Sequence, residues 1–419
     1  MLIRAIFAAV LVTAPGLAAM AAEADAKPAE QKRGGIIRND AVAAYQDTVD
    51  VIETQSGAFD PQLREPLVGL GLAYMQDGDY EQATDAFQRA LHVTRVNYGL
   101  NDLGQLPIVE LLIQSHKGAG DWEAVDNSYR YILWLARRNY GADDPRMLPA
   151  LESFGEWHLQ ATELEDSGSQ MNHLFEAEGA YTQATKILEK DPSIDRKELM
   201  GVLYAGSYAN LRLAEWVTTD PDPFLLSNAS FSLSPYAQQR ALDAMAALER
   251  QLDMSYRRGR DSLRRVATLA EESHDPAAQA AALTYLGDWY LQFGRRRSAE
   301  ESYSQARALA GQEPAARAAV DALYQQPSML PAIPVNIANP VPEQTAAEQR
   351  TFVVFDFDIA ESGRVTRIDV TEASANASSG DIQNARAWLR QTRFRPMVID
   401  GKPQPYSGAK IRYYLDGGN

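Results

Sequence analysis

The strongest constraint on this chain is a period. Asp60-Pro61, Asp102-Leu103 and Asp144-Pro145 follow one another at intervals of 42 residues. At the same offset Gly78-Asp79-Tyr80 returns as Gly120-Asp121-Trp122, Phe87 as Tyr129, Leu91 as Leu133, and Asn97-Tyr98-Gly99 as Asn139-Tyr140-Gly141. A fixed period of this size belongs to a supersecondary unit that cannot bury its apolar face alone and therefore stacks on copies of itself. Within one unit the chemistry is helix, turn, helix. Asp60-Pro61 supplies a capping carboxylate and a proline that forfeits no hydrogen bond in the first turn. The helix it opens is expected to run to Gln76, Gly78 allows a tight turn, and Tyr80, Ala83, Phe87 and Ala90 fall on one face of a second helix.

Leu70-Gly71, Tyr74, Gly78, Tyr80, Ala83, Phe87 and Ala90 resemble the tetratricopeptide signature, and the longer period resembles the kinesin-light-chain type, with about two extra helical turns per unit. A third unit opens with Asp144-Pro145, Phe154-Gly155 and Trp157, after which the period fails; its second helix is expected near Tyr181, behind an insertion around Glu163 to Glu178. Asp191-Pro192 opens another helical stretch, and Thr218 to Pro235 is a long interruption. Tyr236 to Ser273 reads as helix with a break at Gly259 and five arginines between Arg257 and Arg265. Leu286-Gly287, Tyr290, Gly294, Ala299, Tyr303 and Ala306 again resemble a tetratricopeptide unit.

Prolines between Pro327 and Pro342 predict a semi-extended spacer. Beyond it the apolar period changes from 3.6 to 2: Val353, Phe355, Phe357 and Ile359 alternate with Asp356 and Asp358, and Val365, Ile368 and Val370 continue after a turn at Gly363. Asp381 is expected to cap a short helix, and Ile411, Tyr413 and Leu415 to form a returning strand. With Phe394-Arg395-Pro396 and Gly401-Lys402-Pro403, this order resembles the C-terminal domain of TonB-type energy transducers. The Tyr-Pro helix usual before the first strand is not recognisable. The resemblance implies strand addition to outer-membrane receptors through the last strand.

At the other end, Arg4, an apolar run from Ala5 to Ala14, Pro15-Gly16 and Ala19-Met20-Ala21-Ala22 have the order of a secretory signal peptide cleaved after Ala21 or Ala22. The alternative is an uncleaved inner-membrane anchor, weakened by Pro15-Gly16. The expected division is therefore a signal peptide at 1–22, a flexible lead at 23–35, a helical array at 36–326, a proline-rich linker at 327–345 and a terminal domain at 346–419. The fold class is mainly α, a tetratricopeptide-like array followed by a small α+β module.

Little in the sequence suggests catalysis. A net charge of -16 argues against nucleic acid as a partner, and the absence of cysteine removes thiolate nucleophiles and Cys-ligated zinc. There is no phosphate loop, His-Glu-x-x-His helix or Gly-x-Ser-x-Gly elbow. His116 and His158 are 42 residues apart at the position held by Tyr74 and Tyr290, so both read as packing substitutes. His92, His173 and His274 have no partner at ligand spacing. Neither cofactor nor metal is expected.

What remains is recognition by a non-enzymatic scaffold. If the repeats stack, the first helix of each unit lines a groove with Val68, Leu72 and Met75, then Glu110, Gln114 and Lys117, then Glu152 and Glu156. Apolar at one end and acidic further on, it suits an extended peptide with an apolar anchor and basic residues. A second surface is Lys410, Ile411, Arg412, Tyr413, Tyr414 and Leu415, expected at a sheet edge where unpaired backbone groups accept an added strand. The terminal segment from Arg350 carries ten basic and eight acidic residues, against a strongly acidic array. The expectation is a periplasmic adaptor whose partners are envelope proteins or peptides, outer-membrane receptors among them, touching membrane only through those partners unless the N-terminus is uncleaved. The alternative is a TonB-like transducer with an uncleaved anchor.

Overall fold

The computed structural model describes residues 30–162, 164, 167–191, 193, 195–219, 235–330, 332–335, 351–399 and 402–415. The expected signal peptide, most of the flexible lead, nearly all of the interruption after Thr218 and the proline-rich linker beyond Val335 lie outside the described residues. The chain divides into two compact units, one ending at Trp157 and one spanning His158–Asn419.

The first unit contains α1 (Glu30–Ser56), α2 (Arg64–Asp77), α3 (Tyr80–Tyr98), α4 (Leu106–Ala119), α5 (Trp122–Tyr140) and the start of α6 (Leu148–Ala161). From α1 to α5, each helix packs on the next. The repeated aspartates act as read, with one refinement. Asp60, Asp102 and Asp144 each accept the backbone N–H two residues on, at 2.8, 2.7 and 2.9 Å, and so cap a short 3-10 turn that leads into the α-helix. Gly78 and Gly120 end α2 and α4 at φ +79° and +74°, in the left-handed region that glycine enters without strain. Asp79 and Asp121 then cap α3 and α5.

The repeated asparagines join consecutive repeats. Asn97 Nδ2 donates to Phe59 O at 2.8 Å, and Asn139 Nδ2 to Asn101 O at 2.9 Å. A polar residue recurring near the end of a helix is thereby used as a stitch between turns of the array.

The second unit continues with α7 (Ser167–Lys190), α8 (Arg196–Thr219), α9 (Pro235–Glu272), α10 (Pro276–Gln292), α11 (Arg296–Gln312) and α12 (Pro314–Tyr324). Two expectations are corrected here. The second helix of the third repeat starts at Ser167 rather than near Tyr181, so most of the supposed insertion lengthens that helix. Gly259 does not break α9. A Cβ there would land in the Trp289 ring, so glycine is present to admit an indole, not to interrupt a helix. Trp289 is fully buried in a cluster with Leu263, Tyr290, Ala299, Tyr303 and Ala306. Among the described residues no helix is long and apolar enough to cross a membrane.

The terminal module is built from β2 (Thr351–Ile359), β3 (Val365–Ala373), α13 (Ser379–Gln391) and β7 (Tyr406–Leu415). The strands are antiparallel in the order β3-β2-β7. Strand alternation puts Val353, Phe355, Phe357 and Ile359 on the inner face, where Ala385 and Leu389 of α13 cover them together with Ile411, Tyr413 and Leu415. On the outer face Arg367 bridges Asp356 and Asp358. Ser378, not Asp381, caps α13; its hydroxyl accepts the Asp381 N–H at 3.1 Å.

Two short pairings have no signal in the sequence. β5 (Met397–Ile399) and β6 (Lys402–Gln404) form a hairpin. β1 (Ser328–Met329) pairs with β4 (Phe394–Arg395), and Leu330 N–H donates to Arg393 O at 2.8 Å. The first part of the proline-rich tract is thus extended, as proline dictates, but it is packed: Leu330 and Ile333 are buried.

Candidate functional site

The groove residues of the first unit sit on the three first helices of the repeats. On α2, Leu72 is exposed while Val68 and Met75 are half-buried; on α4, Glu110 and Gln114 are exposed and Lys117 is half-buried; on α6, Glu152 is half-buried and Glu156 exposed. A cleft of 950 Å³ in the same unit is walled instead by residues of α3, α4 and α5 such as Arg89, His92, His116 and Tyr131, and none of the eight lines it. Several of its charged groups are already engaged: Arg89 pairs with Glu53, and Arg95 donates to Gln105 at 2.8 Å.

What the structure does bring together is Lys117 with an aromatic stack. Tyr129 and Trp157 lie with ring centroids 5.4 Å apart and planes at 13°, and Trp122 extends the stack at 6.4 Å. The Lys117 ammonium sits 5.4 Å from the Tyr129 centroid and 5.3 Å from that of Trp157, and donates to the Tyr129 hydroxyl at 3.3 Å. Trp157 Nε1 donates to Asp126 at 3.1 Å, which fixes the indole.

The reason for this arrangement is one side chain in α4. In the first repeat Gly71 leaves a slot that the Phe87 ring fills completely. In the second repeat the equivalent residue is Ile113, itself buried, and the equivalent of Phe87 is Tyr129, which is only half-buried. With isoleucine in place of that glycine the second repeat lacks the slot, and its Tyr129 ring stacks on Trp157.

Charge completes the site. Burial lowers the Lys117 ammonium from its ordinary range, and the Glu156 carboxylate works against that shift. The Tyr129 phenol is pushed up to about 12 by burial and by the carboxylates of Glu156 and Glu110. Two of the sequence-predicted glutamates therefore act on the same aromatic group as Lys117, whereas Val68, Leu72 and Met75 belong to a separate, apolar stretch of helix.

At the other expected surface, β7 is an edge strand of the three-stranded sheet. Ile411, Tyr413 and Leu415 point into the core, and Lys410, Arg412 and Tyr414 alternate with them outward. Arg412 is committed within the module, 3.7 Å from Glu372 and 4.4 Å from the centroid of Phe352.

Two other sequence features resolve. The arginines of α9 are paired: Arg257 with Asp253, Arg258 with Glu178, Arg260 with Asp261 and Arg265 with Glu272, while Arg264 lies over Tyr290. Four of the five arginines between Arg257 and Arg265 thus have a carboxylate neighbour, as a solvated helix face would. His173, which has no partner at ligand spacing in the sequence, meets His158 with the two Nδ1 atoms 2.6 Å apart, both rings buried. A helix-length spacing hides this contact, because the partners lie on different helices.

A fully buried polar site has no motif to announce it. Asp288 of α10 is fully buried and receives Arg395 Nη1 at 2.9 Å and the Tyr303 hydroxyl at 2.8 Å. By the repeat alignment of Leu286-Gly287 with Leu70-Gly71, Asp288 stands where Leu72, Gln114 and Glu156 stand in their units. Sequence could have found half of this, since the carboxylate occupies a groove position; the arginine comes from a distant strand.

No protein-family model matches the chain, and no curated protein matches it. Among solved structures it is similar to a Podosopora anserina kinesin light chain protein with nearly identical TPR-like repeats, and to a single-substitution form of that protein. Each is 11% identical over 59% of this chain with a TM-score of 0.37, covering 95% and 94% of those chains respectively. BtubC (BKLC) of P. vanneervenii is 15% identical over 68% of this chain and 92% of that one, with a TM-score of 0.34.

Proposed function

We propose that the protein is a non-enzymatic adaptor of the periplasm that binds an extended, basic peptide segment of an envelope protein along the first helices of its repeats. The observation that carries this reading is Asp288: at a groove position, a carboxylate of the array holds an arginine side chain of an extended strand. Glu156 presents the same kind of group at the equivalent position of the third repeat, beside Glu110 and the Tyr129–Trp157 stack. The Tyr129 and Trp157 faces already hold the chain's own Lys117, so a peptide cation would be drawn by the charge of the two carboxylates. Leu72 and Met75 would take the apolar anchor. A second partner would add a strand to β7, at the edge of its sheet.

The test uses the full chain. A photoreactive amino acid at Gln114 should capture an envelope protein in cells, and the double charge reversal E110K/E156K should abolish that capture. Capture no stronger than from the same group at Arg138, on α5, would overturn the groove reading. Placed at Lys410, the photoreactive group tests strand addition in the same way. Mass spectrometry of the exported protein addresses the compartment: a mature start at Ala22 or Glu23 fits the periplasmic adaptor, and retention of Met1 fits an anchored transducer.

A further inference from the structure

We propose that the last repeat carries a guanidinium-accepting pocket, and that Arg395 in this pocket latches the terminal α+β module onto the array, so that the two move as one body and separate as a unit when the arginine is withdrawn. This goes beyond the adaptor reading and does not depend on which partner binds.

The pocket is formed by Asp288 on α10, Tyr303 on α11 and Tyr324 on α12. Arg395 and Asp288 are 1% and 0% exposed, so neither charge keeps contact with bulk water. The guanidinium donates to Asp288 Oδ2 at 2.9 Å and lies 5.3 Å from the Tyr324 centroid, while Tyr303 donates to Oδ1 at 2.8 Å. The backbone N–H of Ala332 also reaches the carboxylate. A planar, weakly hydrated cation flanked by an aromatic face and a carboxylate is what arginine, and not lysine, supplies.

The pocket alone would be a packing detail. Its surroundings make it a latch. Arg395 belongs to β4, which pairs with β1, and β1 follows directly from the end of α12. Leu330 N–H binds Arg393 O, so the strand pairing and the ion pair share one short segment. Ile333 and Val398 pack on the array cluster, whereas Met329 packs on the core of the module. The segment from Pro327 to Val335 is therefore woven between two cores, and Arg395 is the charged pin through it.

Physical chemistry sets how the latch must behave. A buried ion pair is stable only while both members are present; removing one strands a charge in a medium that cannot solvate it. The module core does not need the pair, since β2, β3, β7 and α13 bury Phe355, Phe357, Leu389 and Ile411 independently of it. Loss of either partner should thus free the segment around β1 and β4 and spare both cores.

Amide hydrogen exchange on the full-length protein tests this, with Leu330 and Ala332 as latch reporters, Phe355 as reporter of the module core and Trp289 as reporter of the array. Arg395→Met and Asp288→Asn should each speed exchange at Leu330 and Ala332 at least tenfold while Phe355 and Trp289 stay within threefold of wild type. The double variant should exchange no faster than either single one, because the second substitution removes a group already without its partner. Unchanged exchange at Leu330, additive effects in the double variant, or equal acceleration at Phe355 would each overturn the latch and leave the pair an ordinary folding contact.

Discussion

Gly71 lies against the ring of Phe87 so closely that a single added methyl would enter the ring. Gly287 and Tyr303, also 16 residues apart, stand in the same relation. The pairing of a hydrogen with a ring face is what lets the two helices of a repeat approach. Gly71→Ala should therefore destabilise the protein by about 1–3 kcal/mol, since overpacking forces the ring or the helix to move. Gly201→Ala is the matched control: nothing lies within 4 Å of its added Cβ, and the helical glycine gains about 0.5–1 kcal/mol on becoming alanine. Urea unfolding of the two variants against wild type reads both signs, and a Gly71→Ala protein as stable as the control would refute the contact.

Gln105 is a buried hub that no repeat rule announces. Its carbonyl oxygen accepts from Arg95 Nε at 2.8 Å and from the Tyr131 hydroxyl at 2.6 Å, and its amide donates to the Leu100 and Asp102 carbonyls at 3.0 and 2.9 Å. Gln105→Leu keeps the volume and removes every one of these partners. The expected loss is about 1–3 kcal/mol, because the loop carbonyls and the Tyr131 hydroxyl are left without their partner. A urea midpoint equal to wild type would mean that water replaces the amide at no cost.

How much of this is legible in the sequence follows from what is local. The aspartates, glycines and small residues of each repeat are readable because caps, turns and helix contacts lie within one unit, as Asp60 with Gln62 and Gly71 with Phe87 show. The alternation of Val353, Phe355 and Phe357 likewise announces its own strand. Gly259 misleads because a glycine in a helix looks like a break until its distant neighbour, Trp289, is known. The same holds for the site: the groove position of Glu156 is readable, while the stacking of Tyr129 on Trp157, 28 residues on, requires the packing. Asp288 and Arg395 are 107 residues apart, and no periodicity links them.

The Asp288 carboxyl is pushed up to about 6, by burial first, with Arg395, the Tyr303 hydroxyl and the Ala332 N–H pulling it back. Tyr285, Tyr303 and Tyr324 are the other titratable groups around it. Its folded value lies above the unfolded one, so the folded protein binds the extra proton. The resulting stabilisation is fully present below the ordinary carboxylate range, near pH 4, and is lost as the pH rises through about 6. Asp288→Asn removes this dependence. Because the amide cannot pair with Arg395, the variant is the less stable protein at every pH, and chemical denaturation at pH 4, 5, 6 and 7 should show the wild-type advantage narrowing with each step. A gap that widens in favour of wild type toward pH 7 would mean that Arg395 outweighs burial.

Glu156 and Lys117 offer a last test, confined to the groove. The Glu156 carboxylate favours the charged form of Lys117 and opposes ionisation of the Tyr129 phenol. Neutralising it in Glu156→Gln removes a negative neighbour from both groups, so the Lys117 ammonium should lose its proton more readily still. Acylating reagents attack only the free amine. The rate of Lys117 acetylation at pH 8, followed by peptide mass spectrometry, should rise severalfold in Glu156→Gln and stay at the wild-type value in Glu110→Gln, whose carboxylate acts on Tyr129 alone. Acetylation of the exposed Lys402, on the terminal module, serves as the internal reference. An unchanged Lys117 rate would separate Glu156 from the aromatic stack and remove the electrostatic basis for a basic peptide in this groove.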